Sequence, residues 1–344
     1  MKKWLALVVV ALIALSACGR PSDGNGESSD GGESEGGEES YTIRIAHLVS
    51  EEQSSHIAAE SFKEKVESES DGQISVEIHP NGSLFPSDRE AIEAVQQGNV
   101  EMTIPALASV SSFNQDFMVF DLPFLFSDRE TAHKVLDGEI GQRLLDDLTE
   151  QNIKGLVYAE NGFRHLSNNK GPVESLEDIE GLKMRTLESP VHTATFNALG
   201  MNASPFAFGE LYTALQQGTY DAMEGPVSLF YTNKFYEVQD YMTMTGHVYA
   251  PTALLMNNEF YEGLPSDLQD LVVEASEEYR TEQRELAGEQ DSEFVDKLKE
   301  EGLEINEPSE ELMNSFREAV QPVYEEFESE IGADLIEEVQ NAAE

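Results

Sequence analysis

Arg185 sits where an arginine can hold an anion. Leu182-Lys183-Met184-Arg185-Thr186 reads as a strand, with Leu182 and Met184 on one face and Lys183 and Arg185 on the other. Glu188-Ser189-Pro190 then opens a helix, with Ser189 suited to the N-cap and Pro190 to the first helical position. The spacing puts a guanidinium at the carboxyl end of a strand, beside a helix N-terminus. Both features favour a bound anion, and open α/β sheets place ligands along that edge. The planar fork of a guanidinium grips a carboxylate with two parallel hydrogen bonds. By pattern alone, a solvated arginine on a strand edge is the simpler account.

Catalytic constellations are thin. The sequence has no Gly-x-Ser-x-Gly elbow, no His-Glu-x-x-His, no Walker-type phosphate loop and no dinucleotide fingerprint. Its seven histidines are scattered, and its one cysteine, Cys18, leaves no disulfide framework and no Cys-based zinc site. Neither a metal nor a cofactor is expected. Carboxylates are too abundant for any pair to stand out.

The elements around Arg185 alternate strand and helix from Tyr41 onward, which predicts an α/β architecture. Ile43 and Ile45 mark a strand. A helix follows through Ala58, Phe62 and Val66 and stops at Gly72, and Ile74, Val76 and Ile78 give the next strand. Ser87-Asp88-Arg89-Glu90 predicts a capping box opening a second helix, and Val100 to Ile104 a third strand. Leu122-Pro-Phe-Leu-Phe126 reads as core. A helix is expected from about Asp128 to Leu148, then a strand from Ile153 to Ala159, then a turn at Asn161-Gly162 entering another strand. Gln96-Gln97-Gly98 and Gln216-Gln217-Gly218 each end a helix ahead of a strand, as two lobes built on one plan would require; helix–Gly–strand junctions also arise by convergence. Pro265-Ser266 starts a helical pattern running to Glu301, about 50 Å at 1.5 Å per residue. It either breaks near Gly288 or lies across both lobes.

The N-terminus predicts the compartment. Lys2 and Lys3 precede an apolar run from Trp4 to Leu15, too short to span a bilayer comfortably, and Leu15-Ser16-Ala17-Cys18 matches a lipoprotein cleavage site. Residues 1–17 are expected to be removed and Cys18 to carry a lipid anchor on the extracytoplasmic face of the cell membrane. Residues 18–40, rich in Gly, Ser, Asp and Glu, read as a flexible acidic tether. The remainder suffices for two lobes of roughly 100–150 residues each. The net charge of −46, from 67 acidic and 21 basic residues, argues against nucleic acid as a partner. Adaptation to high salt is the simplest reading of it. Such a charge repels an anionic ligand at long range, so a site for an acid needs local, partly buried cations that salt does not screen.

Asn161-Gly-Phe-Arg164-His, Gly181-Leu-Lys-Met-Arg185, Phe206-Ala-Phe208 through Gly218 and Asp221-Ala-Met-Glu-Gly-Pro226 together resemble the substrate-binding subunits of tripartite ATP-independent periplasmic (TRAP) transporters, the DctP-like family. His79 to Leu84, Asp121 to Phe126 and Leu264 to Gln269 fit the same pattern, so the likeness runs in order over residues 41 to 330. The resemblance implies a two-lobe, periplasmic-binding-protein-like α/β fold with a hinge and a long helix spanning both lobes. Lobe I would comprise 41–161 plus about 250–288, and lobe II 162–249 plus about 289–344. It implies a small organic acid as ligand, with the carboxylate clamp on Arg185, a second basic contact on Arg164 and an aromatic wall at Phe208. An asparagine common in the family is Gly225 here. Glu224 is expected to face the pocket and accept from ligand hydroxyls, and Glu188-Ser189 falls in a segment that varies with substrate. His47, Asp88 and Arg89 fall on lobe I pocket loops, where a cap or surface role fits them as well.

The expected function is capture without chemistry, by a monomer that delivers a sugar acid, dicarboxylate or similar carboxylate to the small and large membrane subunits of a TRAP permease. A secreted enzyme acting on sugar acids and a ligand-binding sensor protein are the alternatives.

Overall fold

In the computed structural model the described residues are 40–343; the expectations for the leader, Cys18 and the tether lie outside them. Nine strands form one sheet: β1 (Tyr41–Ala46), β2 (Ile74–His79), β3 (Met102–Thr103), β4 (Ile153–Asn168), β5 (Lys183–Thr186), β6 (Asn202–Pro205), β7 (Ala222–Pro226), β8 (Tyr241–Asn257) and β9 (Glu304–Asn306). The helices are α1 (Ser54–Glu69), α2 (Asp88–Gln96), α3 (Arg129–Leu136), α4 (Glu139–Asp147), α5 (Pro190–Ala198), α6 (Leu211–Gln216), α7 (Val227–Thr232), α8 (Asn258–Gly263), α9 (Ser266–Glu300), α10 (Glu310–Ala319), α11 (Gln321–Ile331) and α12 (Ala333–Ala342).

The strand order is β2-β1-β3-β8-β4-β7-β5-β6, with β9 beside β8. Parallel pairs lie at each end, β1 with β2 and β3, and β5 with β6 and β7. Between them run β4 and β8, antiparallel and far longer than the other strands. At about 3.4 Å per residue each spans more than 50 Å, so both cross from one lobe to the other. Helix α9 does the same. It does not break at Gly288: Leu268, Val272, Ala275 and Tyr279 pack with β1, β2 and α1, while Phe294 and Leu298 pack with α6, α7 and β7. Burying a side chain of the Leu, Val or Phe type contributes about 1.5–3 kcal/mol, so each end of α9 is fixed to a different core. A third and larger cluster joins Phe117–Leu148 to α5 and to α10–α12, across the division between lobes that the sequence suggests.

The paired Gln-Gln-Gly segments are structurally equivalent. Gly98 (φ 71°) donates to Val95 O at 3.0 Å and Asn99 to Ala94 O at 2.8 Å; Gly218 (φ 69°) donates to Leu215 O at 2.9 Å and Thr219 to Ala214 O at 2.9 Å. This left-handed cap ends α2 ahead of β3 and α6 ahead of β7.

Several local expectations are corrected. The helix expected over Asp128–Leu148 is two, because the chain turns at Asp137-Gly138, and a Cβ on Gly138 would come within 2.9 Å of Lys134 O. The third strand shrinks to Met102–Thr103. Asn161-Gly162 is not a turn between strands but a bulge inside β4. The register runs Glu160 to Pro251 and then Gly162 to Ala250, leaving Asn161 as the extra residue, and Gly162 takes φ 99°. A bulge frees backbone groups from the ladder. Gln283 of α9 satisfies them: its Oε1 accepts from Glu160 N at 2.9 Å and its Nε2 donates to Glu160 O at 2.6 Å.

Candidate functional site

The bulge, the α2 N-terminus, β7 and the turn before α6 converge on a small, partly enclosed cavity. Ser55, Asp88, Asn161, Arg164, Glu224 and Thr252 line it together with apolar side chains such as Leu48, Ile104, Phe208 and Leu229. The lobes touch beside it: Gly209 N donates to Pro86 O at 3.2 Å, and a Cβ on Gly209 would meet that oxygen at 2.9 Å. Larger recesses lie elsewhere, such as that between Phe124 and α10–α12, but its charged lining residues Arg317, Glu325, Glu328 and Glu337 are exposed.

Five expected site residues meet in the cavity wall: Asp88, Arg164, Phe208, Glu224 and Gly225. Arg164 and Glu224 are both fully buried and form a two-pronged pair through Arg164 Nε and Nη2. Nη2 also donates to Glu224 O at 3.0 Å, and His247 Nε2 lies 3.3 Å from Glu224 Oε2. Burial alone would push the Glu224 carboxyl up. The Arg164 charge, together with hydrogen bonds from His247 and Arg164, outweighs burial and holds it well below the usual range. Glu224 therefore neutralises Arg164, and its oxygens are engaged rather than free to meet a ligand hydroxyl. Gly225 leaves space beside the pair, since a Cβ there would lie 3.9 Å from Arg164 Nη2.

Arg185 ends β5 as expected and is buried, but it stands beside the cavity rather than in its wall. Its Nε and Nη2 donate to Phe206 O at 2.9 and 2.7 Å, and its guanidinium lies 5.9 Å from the centre of the Phe208 ring. Burial lowers its pKa to about 10, which leaves it charged at neutral pH. Among the described residues, neither Arg164 Nη1 nor Arg185 Nη1 has a hydrogen-bond partner. One buried guanidinium is thus bound to a carboxylate and the other to a backbone carbonyl, and each keeps a donor in reserve.

Three expected residues lie elsewhere. His47 is buried behind the wall residues Leu48 and Val49, with its Nε2 3.1 Å from His56 Nδ1, and burial pushes its pKa down to about 3. Glu188 and Ser189 line a separate, open recess with Arg89 and Pro190. Ser189 does precede α5, yet its hydroxyl does not cap the helix; it donates to Asp121 Oδ2 at 2.7 Å.

Asn161 and Thr252 were not expected. Both are buried in the cavity wall, and neither Asn161 Oδ1 nor Thr252 Oγ1 has a partner. An unpaired buried polar atom costs about 1–3 kcal/mol, so native structures rarely keep one without a use.

Asp88 takes the first position of α2, after Ser87, whose hydroxyl accepts from Glu90 N at 3.2 Å. Its carboxylate accepts from Ala106 N at 3.2 Å, and burial raises its pKa to about 7. The folded state then holds this proton more tightly than the unfolded state. Its contribution to stability falls as pH rises from about 4 to about 7 and is level above that. Asp88→Asn, which keeps the acceptor for Ala106 N, is expected to melt higher than wild type at pH 8, with the gap narrowing towards pH 5. A gap independent of pH in thermal melts would refute the assignment.

A sheet whose central strands pass between two lobes, a helix strut along them, and a partly enclosed cavity that holds buried charged groups define a two-lobe solute-binding protein. The comparisons make the class specific. A family model for bacterial extracellular solute-binding proteins, family 7 (DctP), matches residues 45–330, and the chain belongs to that family. The C4-dicarboxylate-binding periplasmic protein DctP of Rhodobacter capsulatus is 37% identical over 88% of this chain and 91% of its own. The crystal structure of the sugar acid binding protein DctPAm of Advenella mimigardefordensis, in complex with galactonate, is 36% identical, with a TM-score of 0.87 over 89% of this chain and 98% of that one. A TRAP periplasmic solute-binding protein of Sulfurospirillum deleyianum with bound succinate is 35% identical, with a TM-score of 0.84 over 88% and 99%. No helix among the described residues is long and apolar enough to cross a membrane.

Proposed function

We propose that this protein captures a small organic acid in the cavity and delivers it to a TRAP permease of small and large integral membrane subunits. Arg185 and Arg164 meet the ligand carboxylate, Phe208 packs against its carbon skeleton, and closure of lobe I (41–161 and about 250–288) on lobe II (162–249 and about 289–344) seals it from water. A monomer tethered through a lipid on Cys18 would hold it at the outer face of the membrane. The observation that carries this reading is a pair of buried guanidiniums of which only Arg164 is paired with a carboxylate, each with an Nη1 that no protein group engages. Exclusion of water strengthens such contacts because the local dielectric falls. The relatives named for dicarboxylates and sugar acids support a carboxylate as the ligand.

A thermal-shift screen of organic acids in high salt tests it, because a ligand that binds only the native state raises the melting temperature. A saturating carboxylate at 100 times its Kd adds about 2.7 kcal/mol. Sugar acids or dicarboxylates are expected to raise the melting temperature, and their uncharged alcohol or lactone counterparts are not. Equal shifts from charged and uncharged forms would remove the arginines from the account.

A further inference from the structure

The charge and hydrogen-bonding character of the cavity distinguishes between the two kinds of acid, and this step rests on the capture reading above. Among the residues that line the cavity Arg164 is the only cation, and Ser55, Asp88, Asn161 and Thr252 are the polar groups outside its pair with Glu224. Arg164 is paired with Glu224, Arg185 has no carboxylate hydrogen-bonded to it, and the buried carboxyl of Asp88 already stands in the wall, so the surroundings suit one ligand carboxylate rather than two. A second carboxylate on the same ligand could accept from the Thr252 hydroxyl but would also face the Asp88 carboxyl and Asn161 Oδ1. It has no hydrogen to give to an Asn161 oxygen, and it would enter with no countercharge. A hydroxyl can donate to Asn161 Oδ1 and can accept from or donate to Thr252 Oγ1.

The way Asn161 is held makes its position specific. It is the one extra residue of the β4 bulge, and Gln283 clamps the peptide groups of Glu160 just before it. A bulge re-aims a side chain, and here it delivers an amide with an unpaired oxygen into the cavity wall. Thr252 lies beside it on the partner strand, paired with Ala159.

We propose that Asn161 and Thr252 read hydroxyl groups on the ligand, so that the site selects a polyhydroxy monocarboxylate over a dicarboxylate. A site built to hydrogen-bond a hydroxyl rejects an analogue that lacks it far more strongly than an apolar pocket rejects a misfit.

Calorimetric titration with D-galactonate, D-erythronate and succinate tests this. Wild type is expected to bind at least one of the two hydroxy acids at least tenfold more tightly than succinate. Thr252→Val, nearly isosteric, and Asn161→Leu are each expected to weaken that hydroxy acid at least tenfold while changing succinate less than threefold. The wild-type comparison needs no variant, so it stands even if a variant fails to fold. Succinate binding as tightly as the hydroxy acids, or variants that weaken both classes equally, would overturn the selectivity and leave carboxylate capture intact. Failure of any carboxylate to bind would overturn the capture reading, and the selectivity with it.

Discussion

Arg185→Ala is expected to weaken binding of the organic acid by about thirtyfold or more, with the fold retained. Truncating one partner of a buried, hydrogen-bonded charge pair costs about 2–5 kcal/mol, because the remaining charge is left desolvated and unmatched. In the free protein the loss is smaller. Arg185 Nε and Nη2 hold only the Phe206 carbonyl, and its ring contact with Phe208 is a packing interaction. The variant is therefore expected to lose affinity much more than stability. Arg185→Lys restores the charge without the planar fork and is expected to recover part of the affinity. Calorimetry on the three proteins, with melting curves as the control for folding, reads this out. Unchanged affinity in folded Arg185→Ala would move the clamp elsewhere.

Glu224→Ala is expected to show the opposite pattern, a loss of stability first. The Arg164–Glu224 pair is wholly buried, and removing the carboxylate strands a guanidinium out of reach of water. Breaking such a pair commonly costs about 3–5 kcal/mol, which for a protein of this size lowers the melting temperature by on the order of 10 °C. Replacing both partners, Arg164→Met with Glu224→Leu, is expected to cost less than Glu224→Ala alone, because no charge is then left unpaired. It is also expected to remove ligand binding, since Arg164 Nη1 goes with the pair. A double variant less stable than Glu224→Ala would show that the pair contributes more than mutual neutralisation.

How much was legible in the sequence depended on how local the signal was. The Gln-Gln-Gly caps depend on a few consecutive residues, and both recur in the structure with the same hydrogen bonds. The strand ending at Arg185 and the helix opening at Pro190 were equally local. Ser189 shows where that fails. The cap signal was present, but Asp121, far away in the chain, takes the hydroxyl. Asp137-Gly138 carried a break signal that the apolar periodicity on either side concealed. Asn161-Gly162 carried a signal for an irregular backbone, but not for the side chain's place in the cavity. Its exposure to the cavity comes from the register between β4 and β8 and from a glutamine on α9, and none of these leaves a mark near Asn161 itself. Glu224 carried no sign of its partner either, because the pairing of β4 with β7 is what brings Arg164 to it. His47 sat in the right loop, one residue from the wall.

The acidic composition and the buried guanidiniums fit together. With 67 acidic against 21 basic residues, the chain repels anions at a distance, and only short contacts out of reach of salt can reverse that. In the capture reading proposed above, the buried guanidiniums supply such contacts.

The most direct test is a crystal structure of the protein with its tightest-binding organic acid. The account predicts the ligand carboxylate within about 3 Å of free guanidinium nitrogens of Arg185 and Arg164, between the two lobes and against Phe208. A carboxylate lodged in another recess, with Arg185 still holding only the Phe206 carbonyl, would contradict it.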